Sequence, residues 1–97
     1  MPLDAVITTT LKVLAPAGLH VRPAARIAFV AALNPGPVTA FCRETVADAK
    51  DRLDLLLLAA GPGDEVTFTL AGPCAPAVAD QLRRLFERKF LPDQSHL

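Results

Sequence analysis

The chain is poor in cysteine, has no charge excess and lacks any long apolar run. Cys42 and Cys74 are the two cysteines among its 97 residues, which excludes a disulfide-dense scaffold. No Cys-x-x-Cys pair and no His/Cys cluster occurs, so no structural zinc site is expected. Ten basic side chains balance ten acidic ones. That argues against nucleic-acid binding, where a basic excess supplies most of the affinity. The longest apolar runs, Ile27 to Leu33 and Leu55 to Ala60, fall far short of the roughly 20 residues that span a bilayer. The N-terminus reads Met-Pro-Leu-Asp, with no basic region before an apolar stretch, and Lys12 interrupts the place of a signal core. No membrane insertion and a cytoplasmic location are expected.

What is present is largely apolar. At 52% hydrophobic residues, the composition is not that of a disordered chain. The length suits one domain, and a chain of this size buries roughly 60–65% of its unfolded surface. One modest core is expected over residues 1–97, with 1–7 and 91–97 as loose termini.

Periodicity supplies the elements. Thr8 to Leu14 alternates, with Leu11 and Val13 on one side and Thr10 and Lys12 on the other, and reads as a half-buried strand. Ala15-Pro16-Ala17-Gly18 breaks it. Pro23 to Leu33 reads as a helix with Ile27, Val30 and Ala31 facing the core, stopped by Asn34-Pro35-Gly36-Pro37. Val38 to Arg43 and Thr45 to Ala49 suggest an antiparallel pair, although the Arg43-Glu44 turn lacks Gly or Asn. Asp51 to Ala60 reads as a short helix with Asp51 as N-cap and Leu53, Leu56 and Leu57 toward the core. After Gly61-Pro62-Gly63-Asp64, the strand Glu65 to Ala71 places Val66, Phe68 and Leu70 on one face, and Gly72-Pro73 ends it. Ala75 to Phe90 is a helix with the stripe Val78, Leu82, Leu85 and Phe86. Arg83, Arg84, Arg88 and Lys89 read as a solvated face suited to the C-terminal dipole end. Cys42 and Cys74 read as small, buried or half-buried apolar residues. The order β-α-β-β-α-β-α, with short connections, predicts an α+β open-faced sandwich of two layers.

The informative stretch is Gly18-Leu19-His20-Val21-Arg22-Pro23-Ala24-Ala25. His20 lies at, or just before, a helix N-terminus, where the first backbone N–H groups have no intrahelical partners. With the helix dipole those groups attract an anion, and Arg22 adds a guanidinium fork matched to phosphate oxygens. A neutral imidazole keeps one ring nitrogen free as a nucleophile. The pattern points to reversible in-line phosphoryl transfer through His20, driven by positioning and charge stabilisation. His96 sits in the expected tail and receives no role.

On these residues the chain resembles HPr, the histidine-containing phosphocarrier family of the bacterial phosphotransferase system. That family's motif is Gly, an aliphatic residue, His, a small residue, Arg, Pro and two small residues. Gly18, Leu19, His20, Arg22, Pro23, Ala24 and Ala25 match it, and the similarity extends from about Thr8 to Phe90. The resemblance implies a four-stranded, mainly antiparallel sheet with helices on one face. It implies that Enzyme I, charged by phosphoenolpyruvate, phosphorylates Nδ1 of His20, and that a IIA component of a sugar phosphotransferase system receives the group. Arg22 and the N–H groups of Val21 and Arg22 would hold the phosphoryl oxygens. Partners would dock on Ala25, Phe29, Arg52, Leu53 and Leu56. No metal or organic cofactor is implied, and a monomer is expected.

The chain also departs from the family. Val21 stands where Thr, Ala or Ser is usual, and it loses any hydroxyl contact. Asp51 occupies the place of a Ser that a regulatory kinase phosphorylates in some relatives. It is either an ordinary N-cap, the preferred reading, or a fixed and partial charge mimic. Phe29 and Ala32 replace the Lys residues common on the first helix, so Phe29 is either an apolar docking residue or simply buried. A regulatory docking module, of nitrogen type or other, with Asp51 in place of the Ser, is the alternative function. A small acyl-phosphate hydrolase on a similar sandwich is disfavoured, because no second acid or base accompanies the motif.

Overall fold

A four-stranded antiparallel sheet carries the site, and its strands run in the order β1-β4-β2-β3. The computed structural model describes residues 6–91. In chain order the elements are β1 (Val6–Lys12), α1 (Val21–Ala31), β2 (Val38–Cys42), β3 (Thr45–Asp48), α2 (Arg52–Leu57), β4 (Glu65–Ala71) and α3 (Ala75–Glu87). The β-α-β-β-α-β-α order is the one the periodicity predicts.

Alternation in the strands decides the layering. Val66, Phe68 and Leu70 of β4 are buried, as are Val38, Ala40 and Cys42 of β2, while Thr8, Thr10, Phe41 and Thr69 are exposed. One sheet face is therefore covered by helices and the other is open to solvent. From α1 the core receives Ala24, Ile27 and Ala31; from α3 it receives Val78, Leu82, Leu85 and Phe86. The Phe86 ring meets Phe68 edge-on at 5.6 Å and Phe90 at 4.7 Å, the offset geometry that aromatic quadrupoles favour.

Several boundaries shift. Val6 and Ile7 belong to β1 rather than to a loose lead-in, because they pair with Ala71 and Leu70 of β4. Residues 1–5 and 92–97, including His96, lie outside the described residues. Of the expected tail, only Leu91 is described; its carbonyl accepts from Arg88 Nε at 3.1 Å. Helix α1 starts at Val21, so Pro23 is its third residue. Proline is tolerated there because that N–H has no intrahelical acceptor. Helix α3 ends at Glu87 rather than Phe90. Its closing turn bonds Phe90 N to Leu85 O at 2.9 Å and Lys89 N to Phe86 O at 3.0 Å. This is a Schellman motif with Lys89 and Phe90 in the left-handed region, at φ 55 and 64.

The expected core face of α2 is overturned at Leu53 and Leu57, while Leu56 does pack against the core. Leu53 and Leu57 are 67% and 70% exposed and Leu56 is half-buried, while Leu55 and Leu58 are buried. Leu55 to Leu58 is an unbroken run of leucines, so hydrophobic spacing alone leaves the helix phase open. Polar contacts set the phase. The Asp51 carboxylate accepts from Leu53 N and Asp54 N, and the Asp54 carboxylate accepts from Asp48 N at 2.9 Å. Cys42 is buried as expected, but Cys74 is exposed. It occupies the N-cap of α3, ahead of the first core residue of that helix.

The turn after α2 ties three segments together. Val13 N donates to Asp64 O, Gly63 N donates to Val13 O, and Leu19 N donates to Ala60 O. Arg43, at φ 54 in the β2–β3 turn, donates to the Asp64 carboxylate and to Ala59 O. This bonding compensates for a turn with no glycine. Asp64 also accepts from Gly61 N at 2.8 Å. The hydrogen bond from Arg43, followed by that from Gly61, holds the Asp64 carboxyl below the ordinary carboxylate range. On α3, Arg83 similarly lowers Asp80, which also pairs with Arg84 at 2.9 Å.

Two outcomes follow from this packing. Phe86→Ala removes a buried ring and should cost about 3–5 kcal/mol in urea unfolding. Asp64→Asn should lower the melting temperature at neutral pH. Because the folded state depresses the Asp64 pKa, that contribution is present above the ordinary carboxylate range and is lost as pH falls through the folded value. The gap between wild type and Asp64→Asn should therefore close in acid, as read from melting curves across the pH series.

Candidate functional site

The turn that follows Ala15 is built to expose His20. Gly18 adopts φ +71, and a Cβ on it would stand 2.8 Å from Ala60 O. Both the conformation and the close approach require glycine. Leu19 is buried and bonded to Ala60 O, so the chain is anchored immediately before His20. His20 is the N-cap of α1 with extended backbone (φ −98, ψ −166), and its carbonyl accepts from Ala24 N at 3.0 Å. Its side chain makes no cap hydrogen bond and is exposed, so the imidazole is not spent on a structural contact.

Two backbone donors face solvent beside it. Pro23 has no N–H and the Ala24 N–H is used by His20, so among the described residues the N–H groups of Val21 and Arg22 have no protein acceptor. No acidic residue lies in the first turn of α1 to compete for them. Arg22 is exposed at the same end. The arrangement offers an oxyanion two amides, the positive dipole end of an eleven-residue helix and one guanidinium.

A cavity of about 340 Å³ opens here, lined among others by Ala17, His20, Arg22, Arg26, Lys89 and Phe90. Arg26 donates across it to the Phe90 carbonyl, which ties α1 to the closing turn after α3. Among the described residues no carboxylate lines the cavity. A depression of about 370 Å³ at the β2–β3 edge holds Asp48 and Asp54 instead. It has no histidine or cysteine, and the Asp54 carboxylate is committed to Asp48 N. The histidine-bearing cavity is the one equipped for nucleophilic chemistry.

His20, Val21 and Arg22 thus come together as the motif predicts. Phe29 is 73% exposed, which decides against its being buried. Arg52 and Leu53 are exposed, while Ala25 and Leu56 are half-buried; all five lie on α1 and α2, which pack on each other. Asp51 is the N-cap of α2, and its Oδ1 lies 2.9 Å from Leu53 N and 3.3 Å from Asp54 N. Arg26 and Lys89 are the cavity residues that sequence reasoning missed. Lys89 had read as part of a solvated helix face, but the Schellman turn carries it off that face to the cavity. No local pattern announces this, because it depends on where the end of α3 meets α1. Among the described residues, no group of three or more His, Cys, Asp or Glu side chains is placed to hold a metal ion. No helix among them is long and apolar enough to cross a membrane.

An open-faced α+β sandwich that presents an unspent histidine to an anion-receptive helix terminus defines a phosphoryl-carrying class of protein. The comparisons give the family. The family model described as the PTS HPr component phosphorylation site matches residues 7–88. A phosphocarrier protein HPr of Treponema pallidum is 34% identical over 86 residues, covering 88% of this chain and 97% of that protein. The chain belongs to the HPr family, the phosphocarriers of the phosphotransferase system. A multiphosphoryl transfer protein of Xanthomonas campestris is 36% identical over 72 residues, covering 74% of this chain but only 9% of that larger protein. Two solved structures share the fold. HPr-C-His from Thermoanaerobacter tengcongensis has a TM-score of 0.83 at 23% identity, covering 90% of this chain and 98% of its own. The phosphocarrier protein HPr from Bacillus anthracis has 0.78 at 24% identity, covering 84% and 98%.

The Asp51 geometry has a measurable consequence. Asp51→Ala removes both acceptor contacts at the start of α2 and should cost about 1 kcal/mol in chemical denaturation. Asp51→Ser, itself a good cap, should retain most of that stability.

Proposed function

We propose that this protein accepts a phosphoryl group on Nδ1 of His20 from Enzyme I, charged by phosphoenolpyruvate, and passes it to a IIA component of a sugar phosphotransferase system. The observation that carries this reading is the exposed, uncommitted His20 beside the unpaired N–H groups of Val21 and Arg22. In the forward step the unprotonated Nδ1 attacks phosphorus in line. The bond from phosphorus to the donor's leaving atom breaks as the new N–P bond forms, that atom keeps the electron pair, and Nε2 keeps its proton. The two amides and Arg22 hold the phosphoryl oxygens throughout, so that charge is stabilised without reorganisation. The reverse geometry serves the acceptor.

The exposed Phe29, Arg52 and Leu53, with Ala25 and Leu56, form the proposed docking surface. Phe29 makes that surface more apolar than a lysine-lined one. The Asp51 carboxylate caps α2, which supports its reading as an N-cap in place of a phosphorylatable Ser. A carrier rather than a hydrolase is the reading supported here, since among the described residues no carboxylate lines the His20 cavity to activate water.

The test is phosphorylation by phosphoenolpyruvate and a cognate Enzyme I, followed by intact mass. Wild type should gain one acid-labile phosphoryl group and His20→Ala none. Arg22→Ala should slow the transfer by about a hundred-fold, as loss of a charge-stabilising donor does. Absence of transfer from an Enzyme I that charges another carrier would overturn the reading.

A further inference from the structure

The cavity beside His20 has a wall that the motif does not supply. That wall is the closing turn that follows α3, Lys89 to Leu91, and three observations show it to be held in place. The Arg26 guanidinium donates to Phe90 O from across the cavity. The Phe90 side chain is buried against Phe86. The Schellman bonds from Lys89 N and Phe90 N close the helix. Lys89 takes the left-handed position of this turn at φ 55, where glycine is the residue without steric cost. A lysine here gives up backbone ease, and it lines the same cavity as His20 and Arg22. With Arg26 it makes a cationic rim that, among the described residues, no carboxylate lines.

We infer that Lys89 is a second phosphoryl-facing cation beside Arg22, set there by the closing turn after α3 and its Arg26 clamp. Its ligand is the phosphoryl group in transit: a dianion on His20 carries more charge than Arg22 and two amides offset. The ammonium attracts the incoming anion and stabilises its oxygens as the N–P bond forms. The inference rests on the reading of His20 as phosphoryl acceptor and adds a residue outside the motif.

Potassium phosphoramidate tests it without any partner protein. The reagent's P–N bond breaks, ammonia leaves, and the free imidazole nitrogen takes the phosphoryl group, its other nitrogen retaining its proton. The full chain is used with His96→Gln, so that His20 is the one histidine, and intact mass follows the rate at low ionic strength. Lys89→Gly relieves the left-handed backbone and should raise the melting temperature, yet slow phosphorylation about two- to five-fold, as expected for one partly exposed charge. Lys89→Gln should be equally slow and Lys89→Arg close to wild type. The differences should shrink in 1 M salt. Wild-type rates in Lys89→Gly and Lys89→Gln, with His20 still phosphorylated, would overturn the role of Lys89 and leave the carrier reading intact. No mass gain on His20 in the parent protein would overturn both.

Discussion

The close backbone approach of Gly18 to Ala60 governs the rest of the molecule. No side chain fits between them, since even a methyl group would stand 2.8 Å from the Ala60 carbonyl. Leu19 donates to that same carbonyl, and the turn that bears it also holds the end of β1 through Val13 and the β2–β3 turn through Arg43. Local bonding at residues 59–64 thus fixes the point from which α1 departs. The amides beside His20 are aimed by a segment that takes no part in the chemistry. This is the separation of support from reaction on which a preorganised site depends.

Much of the fold is legible in the sequence because alternation and helical spacing are strong where one face must be buried. Strand β4 is predicted with its observed limits, and the stripe Val78, Leu82, Leu85 and Phe86 on α3 is buried as predicted. Legibility fails where the pattern is degenerate. A run of leucines fits several helix phases, and Asp51 and Asp54 decide among them through backbone contacts that composition does not display. It also fails where propensity is overridden. Arg43 and Lys89 occupy left-handed positions that glycine or asparagine would signal; bonds to Asp64 and Ala59 hold Arg43, and the helix-closing bonds of Lys89 and Phe90 hold Lys89.

The site divides in the same way. His20, Val21 and Arg22 are contiguous, so their joint chemistry can be read along the chain. The other wall of the cavity comes from the far end of the described chain, and its members carry no mark of their destination. Arg26 is one helical turn beyond Pro23, yet it reaches the Phe90 carbonyl and ties the two walls of the cavity together. The exposure of Phe29 likewise follows from which side of α1 meets α3 and the sheet, not from its hydrophobicity.

The strand order has a consequence in time. β1 is made before the other three described strands, but among them its only neighbour is β4. The ladder from Val6 to Lys12 cannot form until Glu65 to Ala71 has been synthesised and the long intervening loop closed. That closure carries an entropic cost before any hydrogen bond offsets it. Helix α1 and the β2–β3 hairpin, whose contacts are local, are free to form earlier. The segment that presents His20 is tied to the docking of β1, because Val13 at the end of that strand bonds to the backbone of Gly63 and Asp64 and Leu19 bonds to Ala60. A chain that ends before Glu65 has the amides of α1 but not the strand that holds β1, which leads into the His20 turn.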